Sequence, residues 1–403
     1  VGAGYDAAII HHLKISILLG ALVALALGVS PGRAAATDDH FTPLSARVLH
    51  APEPVRGGDG LEQLAYELVL SNDSVFPPRA VTVRQVIVKA GGKTVQILSG
   101  KKLKELMAPF GEVTDKTPRT TLGPGGTAKV LIDITYPAGA KLPRRLSQEL
   151  VVSPGPRGSV ELSRFPTAST AVGTDKAMVV APPLRGPGWV VINGCCDEYT
   201  SHRSSLLSIN GVLREGERYA IDFVQMTSAG RITEGPGDTL ADYPFYGDEV
   251  IAATAGTVVG VRDGLADGPI DFELAAREAG DAGGNHVVVK VGPGVYAFYA
   301  HLIPGSVMVK VGQRVKVGQT LGLLGNSGNS NAPHLHFQLM DGPSPLGSEG
   351  IPYRFSSFTA EGRLTNFPYF FVLGKKARLS AAPRGAKQAQ LPLNLQVVDF
   401  GGP

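Results

Sequence analysis

The sequence predicts an all-β protein: an immunoglobulin-like sandwich over residues 43–170, then an antiparallel β-sheet domain over residues 190–360. Short alternations of apolar and polar residues recur through both regions, the period-two signature of half-buried strands. The 51 glycines and 30 prolines cut these runs into short pieces, and sustained helical periodicity is scarce. With 403 residues, 43% hydrophobic and 18% charged, the chain can fill two cores.

Taken in order, the first element is an export signal over residues 1–36. Lys14 precedes an apolar run from Ile15 to Val29, then Ser30-Pro31-Gly32-Arg33 and Ala34-Ala35-Ala36. A positive flank, a short apolar core and small residues at its end predict cleavage after Ala36. The run is about 15 residues long, short of the roughly 20 a spanning helix needs, so no stable membrane span is expected after cleavage. No cysteine follows it, which argues against a lipidated N-terminus, and the residues before Lys14 read as an early or alternative start. The expected location is the periplasm, cell wall or extracellular space.

In residues 43–170, Tyr66, Leu68 and Leu70 fall on one face of a strand, with Glu67 and Ser71 on the other. Val130, Ile132 and Ile134 repeat the pattern after the turn Gly123-Pro124-Gly125-Gly126. Further strands are expected near 80–90, 93–99, 146–153 and 159–164, with one short helix at Lys101–Met107. About seven short strands with turn signals predict the sandwich. No cluster of His, Cys or paired acids demands chemistry here, so a spacer or a module for an envelope partner is expected. Residues 171–189 form a linker, its Ala181-Pro182-Pro183-Leu184-Arg185-Gly186-Pro187-Gly188 being too rich in Pro and Gly for a helix or central strand.

The second domain opens at Trp189. Strands are expected at Glu249–Thr254, Gly256–Gly260, His286–Lys290, Val295–His301, Val309–Gly318, Leu321–Gly325 and His334–Leu339, with a helical turn at Ala275–Ala279. The repeated Val-Lys-Val-Gly also suits a biotinyl- or lipoyl-carrier barrel, but no lysine sits at a hairpin tip between the neighbours such a carrier needs. Residues 361–403 form a C-terminal tail with no assigned role. The net charge of +3 is too small to imply nucleic acid, and no long basic run with interleaved aromatics is present.

His334-Leu335-His336-Phe337 is the strongest chemical signal. Residues two apart on a strand project to the same side, so both imidazoles enter one space while Leu335 points away. One can ligate a metal while the other handles protons. His301 stands at another strand end. Asp222 lies between hydrophobic neighbours, where a charge is costly without a cation or donors. Taken singly, His301 also suits a capped strand end and Asp222 a structural ion pair.

An ordered series of motifs resembles the lysostaphin-type (LytM-like) zinc metallopeptidases. It runs through Tyr219-Ala220-Ile221-Asp222-Phe223, Tyr246 to Ala253, Gly256 to Val259, Tyr299-Ala300-His301-Leu302, Val311-Gly312, Val317 to Gln319, Gly325 to Gly328 and His334-Leu335-His336. The resemblance implies that Asp222 and His336 bind zinc and that His334 and His301 are catalytic. It also implies hydrolysis of peptide bonds in peptidoglycan stems or cross-bridges. One position departs: four residues before Asp222, where that family places its first histidine ligand, stands Arg218. A guanidinium has no lone pair to give a metal. Either the site is dead or another residue supplies the ligand, with His202 the first choice and His286 the second.

The adjacent Cys195 and Cys196 are the only cysteines. In an oxidising compartment they can form a vicinal disulfide before His202; buried thiols and a thiolate zinc ligand are the alternatives. With His202, Asp222 and His336 on zinc, a fourth position is left for water or the substrate carbonyl. His334 is then expected to orient or deprotonate that water and His301 to donate to the oxyanion, the two roles being interchangeable. Loops at 325–328 and 263–284 are expected to edge a groove for an extended peptide. The rivals are an inactive LytM-like domain that binds cell wall or activates another hydrolase, and a structural envelope protein.

Overall fold

The computed structural model describes residues 41–73, 79–110, 119–154, 162–271, 279–381 and 383–402. The signal at 1–36 lies outside them, as does most of the helical turn expected at Ala275–Ala279. The fold is all-β, as the alternating pattern requires.

Two five-stranded antiparallel sheets build the N-terminal part. One orders Ser45–Val48, Glu62–Ser71, Thr127–Tyr136 and Met107–Pro109, with Val55–Arg56 added beside Glu62–Ser71. The other orders Ser163–Ala171, Arg145–Pro154, Val81–Ala90 and Lys93–Ser99, with Thr121–Leu122 beside Val81–Ala90. Leu64, Tyr66, Leu68 and Leu70 meet Val81, Val86, Leu150 and Val152 in a shared core. The expected short helix is present at Gly100–Leu106. Strand Glu62–Ser71 is buried on both faces: Tyr66 and Leu68 enter the sandwich core, whereas Ala65 joins the core of the C-terminal part.

That second core is organised by a twelve-stranded sheet. Its path runs Met178–Val180, Tyr353–Arg363, Gln396–Asp399, Trp189–Ile192, Ile221–Gln225, Leu335–Met340, Val295–Leu302, Asn285–Gly292, Gly256–Arg262 and Arg314–Val315. All its pairings are antiparallel except Met178–Val180 with Tyr353–Arg363, a parallel pair that the expectation of a purely antiparallel sheet did not include. Met178–Val180 comes from the stretch read as linker. Gln396–Asp399 and Gly385–Gln390 come from the tail that carried no signal, and both are sheet strands. The Val309–Gly318 repeat is mostly turns, with Val311 and Val317 exposed. Its glycines, Gly312 and Gly318, have φ of 87° and 80°, which a continuous strand does not accommodate. Residues 42–403 form one compact unit.

Candidate metal centre

Strand alternation places the key pair. In Leu335–Met340, Leu335, Phe337 and Leu339 enter the core, which turns His336 and Gln338 to the opposite face. In the neighbouring strand Ile221 and Phe223 enter the same core, and Asp222 is the direct partner of His336 across the ladder. His336 Nδ1 lies 3.0 Å from Asp222 Oδ1.

Two further imidazoles reach the carboxylate from outside the strands. His202 opens a 3₁₀ turn, His202–Ser204, and its Nε2 lies 3.2 Å from Asp222 Oδ2. His334 directly precedes its strand, and its Nε2 lies 3.4 Å from Asp222 Oδ1. Asn193 donates to Asp222 Oδ2 at 2.8 Å. His301 completes the group, its ring centroid 4.5 Å from that of His334 and 5.9 Å from that of His336. Simple alternation would send His301 toward the core with Tyr299. Its φ of 65° breaks the alternation at the strand end, and the imidazole lines the cleft instead.

Backbone carbonyls fix three of the rings. Nδ1 of His202 faces the Ala220 carbonyl at 3.0 Å, that of His301 the Ser327 carbonyl at 2.7 Å, and that of His334 the Ala332 carbonyl at 2.8 Å. A carbonyl only accepts, so each Nδ1 carries a proton and each Nε2 is the atom turned to the site. On His202 that Nε2 donates to the Asp222 carboxylate as the imidazolium, and it would give its lone pair to a metal only on losing that proton. His336 is held the other way round, its Nε2 facing Gln338 Oε1 at 3.0 Å and its Nδ1 turned to Asp222.

The electrostatics follow from burial of one carboxylate among four imidazoles. Burial opposes a charge on His202, but Asp222 beside it prevails and pushes its pKa up to about 9. Burial likewise opposes the Asp222 charge, yet His202 and His334 hold that carboxyl well below its ordinary value. For His301 burial dominates, and neighbouring His334 and His336 reinforce it, so its pKa lies well below the ordinary imidazole value. Burial also lowers His334, against the pull of Asp222.

His202, Asp222 and His336 each offer a ligand atom, all within 4.8 Å of one another. Two imidazole nitrogens and a carboxylate oxygen, buried and oriented by partners behind them, are a donor set that suits zinc with a position left open. The group lines a cleft of about 200 Å³, together with Ser201, Glu217, Asn331 and Leu346. Ala282 and Gly283 of the expected insertion edge this cleft. The 325–328 loop stands behind it: a Cβ on Gly284 would meet the Ser327 carbonyl oxygen at 2.4 Å, and that carbonyl in turn orients His301.

The other residues in question lie elsewhere. His286, the second choice as ligand, packs on Phe298 and contacts the Gly284 carbonyl, outside the donor group. Arg218 turns from the cleft to Glu67, Nη2 to Oε2 at 2.7 Å. Cys195 and Cys196 form a disulfide, which removes the thiolate-ligand alternative. Gln338 and Asn193 were missed by the sequence; Gln338 was within reach, because period two puts it on the face of His336, whereas no local pattern marks Asn193.

Residues 241–347 match the family described as Peptidase family M23. That stretch contains His301, His334 and His336; Asp222 and His202 precede it. Peptidoglycan DD-endopeptidase ShyA of Vibrio cholerae serotype O1 is 44% identical over 57 residues, 14% of this chain and 13% of ShyA. Glycyl-glycine endopeptidase ALE-1 of Staphylococcus capitis is 49% identical over 59 residues, 14% of this chain and 16% of ALE-1. Among solved structures, the catalytic domain of the antimicrobial peptidase lysostaphin from Staphylococcus simulans is 27% identical, covers 36% of this chain and 80% of that one, and superposes with a TM-score of 0.22. The family model and the two curated relatives support a peptidase M23 stretch within this chain; of those relatives, ShyA is a peptidoglycan DD-endopeptidase and ALE-1 a glycyl-glycine endopeptidase. The matched stretch spans only 13% and 16% of these two curated relatives.

Proposed function

We propose that this protein is an exported zinc metalloendopeptidase that hydrolyses peptide bonds in peptidoglycan stems or cross-bridges. The observation that carries the proposal is the convergence of His202, Asp222 and His336 within 4.8 Å, with His301 and His334 beside them at the cleft. His202, Asp222 and His336 would hold the zinc, and His202 takes the place that Arg218 cannot fill. When bound, zinc supplies Lewis acidity toward a water and a scissile carbonyl.

The remaining chemistry belongs to the two other histidines. Depressed pKa values keep both neutral near pH 7, with Nε2 free to accept. His334 Nε2 takes the proton of the attacking water and then holds it for the leaving amine. Neutral His301, its Nδ1 proton committed to the Ser327 carbonyl, presents Nε2 as an acceptor that positions the attacking water beside His334. Donation to the oxyanion would first require it to take that water's proton in place of His334.

Export is supported by the signal read at residues 1–36 and by the Cys195–Cys196 disulfide, a bond at home in oxidising compartments. Among the described residues no helix is long and apolar enough to cross a membrane. The N-terminal part is assigned as an immunoglobulin-like module on its two packed five-stranded sheets. Metal content by elemental analysis and turnover of purified sacculi test the proposal together. The parent should carry one zinc and release peptides, His202→Ala should lose the metal, and His334→Ala should keep the metal but lose turnover by about 10²–10⁴-fold. A metal-free parent, or full turnover by His334→Ala, refutes it.

A further inference from the structure

The turn that carries His202 is gripped from the N-terminal sandwich. Arg203, fully buried, donates from Nη1 to Glu67 Oε1 at 2.8 Å and from Nη2 to the Ile132 carbonyl at 3.4 Å. Lys129 donates from Nζ to the Ser204 carbonyl in the same turn. Glu67, Lys129 and Ile132 all belong to the paired sandwich strands Glu62–Ser71 and Thr127–Tyr136.

Glu67 holds a second segment as well. Arg218 reaches both of its carboxylate oxygens, Nε to Oε2 at 2.9 Å and Nη2 to Oε2 at 2.7 Å, with Nε to Oε1 at 3.1 Å. Two residues on, the Ala220 carbonyl orients His202, and two further on stands Asp222. One fully buried carboxylate therefore ties together the two segments that bring His202 and Asp222 to each other. A buried charge with both faces committed tolerates little displacement, because any slip leaves a guanidinium or a carboxylate unpaired.

We propose that Glu67 and Lys129 are positioning residues of the metal centre, so that the sandwich completes the site by fixing the His202 turn against Asp222. The proposal rests on the zinc reading above. It makes Arg218 a tether for the ligand-bearing segment, at the position where related sequences would carry a ligand.

The test uses the full chain with Glu67→Gln, Lys129→Met and, as a remote control, Glu149→Gln, whose carboxylate pairs with Lys89 and Arg164. Zinc affinity is measured by competition with a chelator, and amide hydrogen exchange is followed in the metal-free proteins. Glu67→Gln and Lys129→Met should each weaken zinc binding by about 10–100-fold, the usual effect of losing a residue that orients a ligand. Exchange at 200–206 should quicken while 335–340 keeps its protection, and Glu149→Gln should match the parent in both readouts. Parent-like zinc affinity and parent-like exchange at 200–206 in folded Lys129→Met overturn the proposal, even where Glu67→Gln fails to fold. Should the parent itself bind no zinc, the functional reading falls, and the exchange measurement still decides whether the sandwich holds the turn.

Discussion

Glu215 offers a measure of the buried charge cluster around Glu67, Arg203 and Arg218. It is fully buried, Ser205 donates to its Oε1, and its Oε2 has no hydrogen-bond partner. Burial, reinforced by nearby Glu67 and only partly offset by Arg218, Lys129 and Arg203, pushes its pKa up to about 8. An unfolded glutamate releases its proton near pH 4.5, so between these values the folded chain holds more protons than the unfolded one. Stability therefore falls as pH rises through that window, at up to about 1.4 kcal/mol per pH unit, and levels off above pH 8. Over the whole window this amounts to roughly 3–5 kcal/mol. Glu215→Gln removes the titration and keeps the shape. Urea unfolding of both proteins at pH 5, 6, 7 and 8 isolates the effect, because the difference between them cancels groups that titrate alike in each. The variant should gain on the parent steadily from pH 5 to pH 8. A difference in unfolding free energy that does not change with pH refutes the protonated, buried Glu215.

Two further outcomes follow from the same geometry. Gln338→Leu removes the partner of His336 Nε2 and should weaken zinc binding by about 10–100-fold in a chelator competition, with the fold preserved by circular dichroism. Arg218→Met leaves Glu67 with half of its neutralisation and should cost about 3–5 kcal/mol in urea unfolding at pH 7, where a surface ion pair would cost under about 1 kcal/mol.

The centre of the site was legible because strand chemistry is local. His334-Leu335-His336 declares its face by spacing alone, and Asp222 stood out as an acid amid apolar neighbours. The sequence already ranked His202 ahead of His286 as the substitute ligand, and the structure adds that His202 approaches the carboxylate while His286 turns to the Gly284 carbonyl. Glu67 shows where period two falls silent. Alternation correctly put it opposite Tyr66 and Leu68, yet an outward polar residue looks the same whether water or another sheet covers it. The closing strands were hidden for a related reason. Gly385–Gln390 and Gln396–Asp399 are short and partly polar, and only their ladder partners reveal them as strands.

The place of Gln396–Asp399 has a consequence for how the molecule is made. It sits between Trp189–Ile192 and Tyr353–Arg363, so during synthesis the former emerges roughly two hundred residues before this neighbour exists. Until then its ladder edge stays open, and closing so long a loop is slow as well as entropically costly. A nascent chain in that interval presents a sticky, half-built surface, the condition under which holding chaperones matter most.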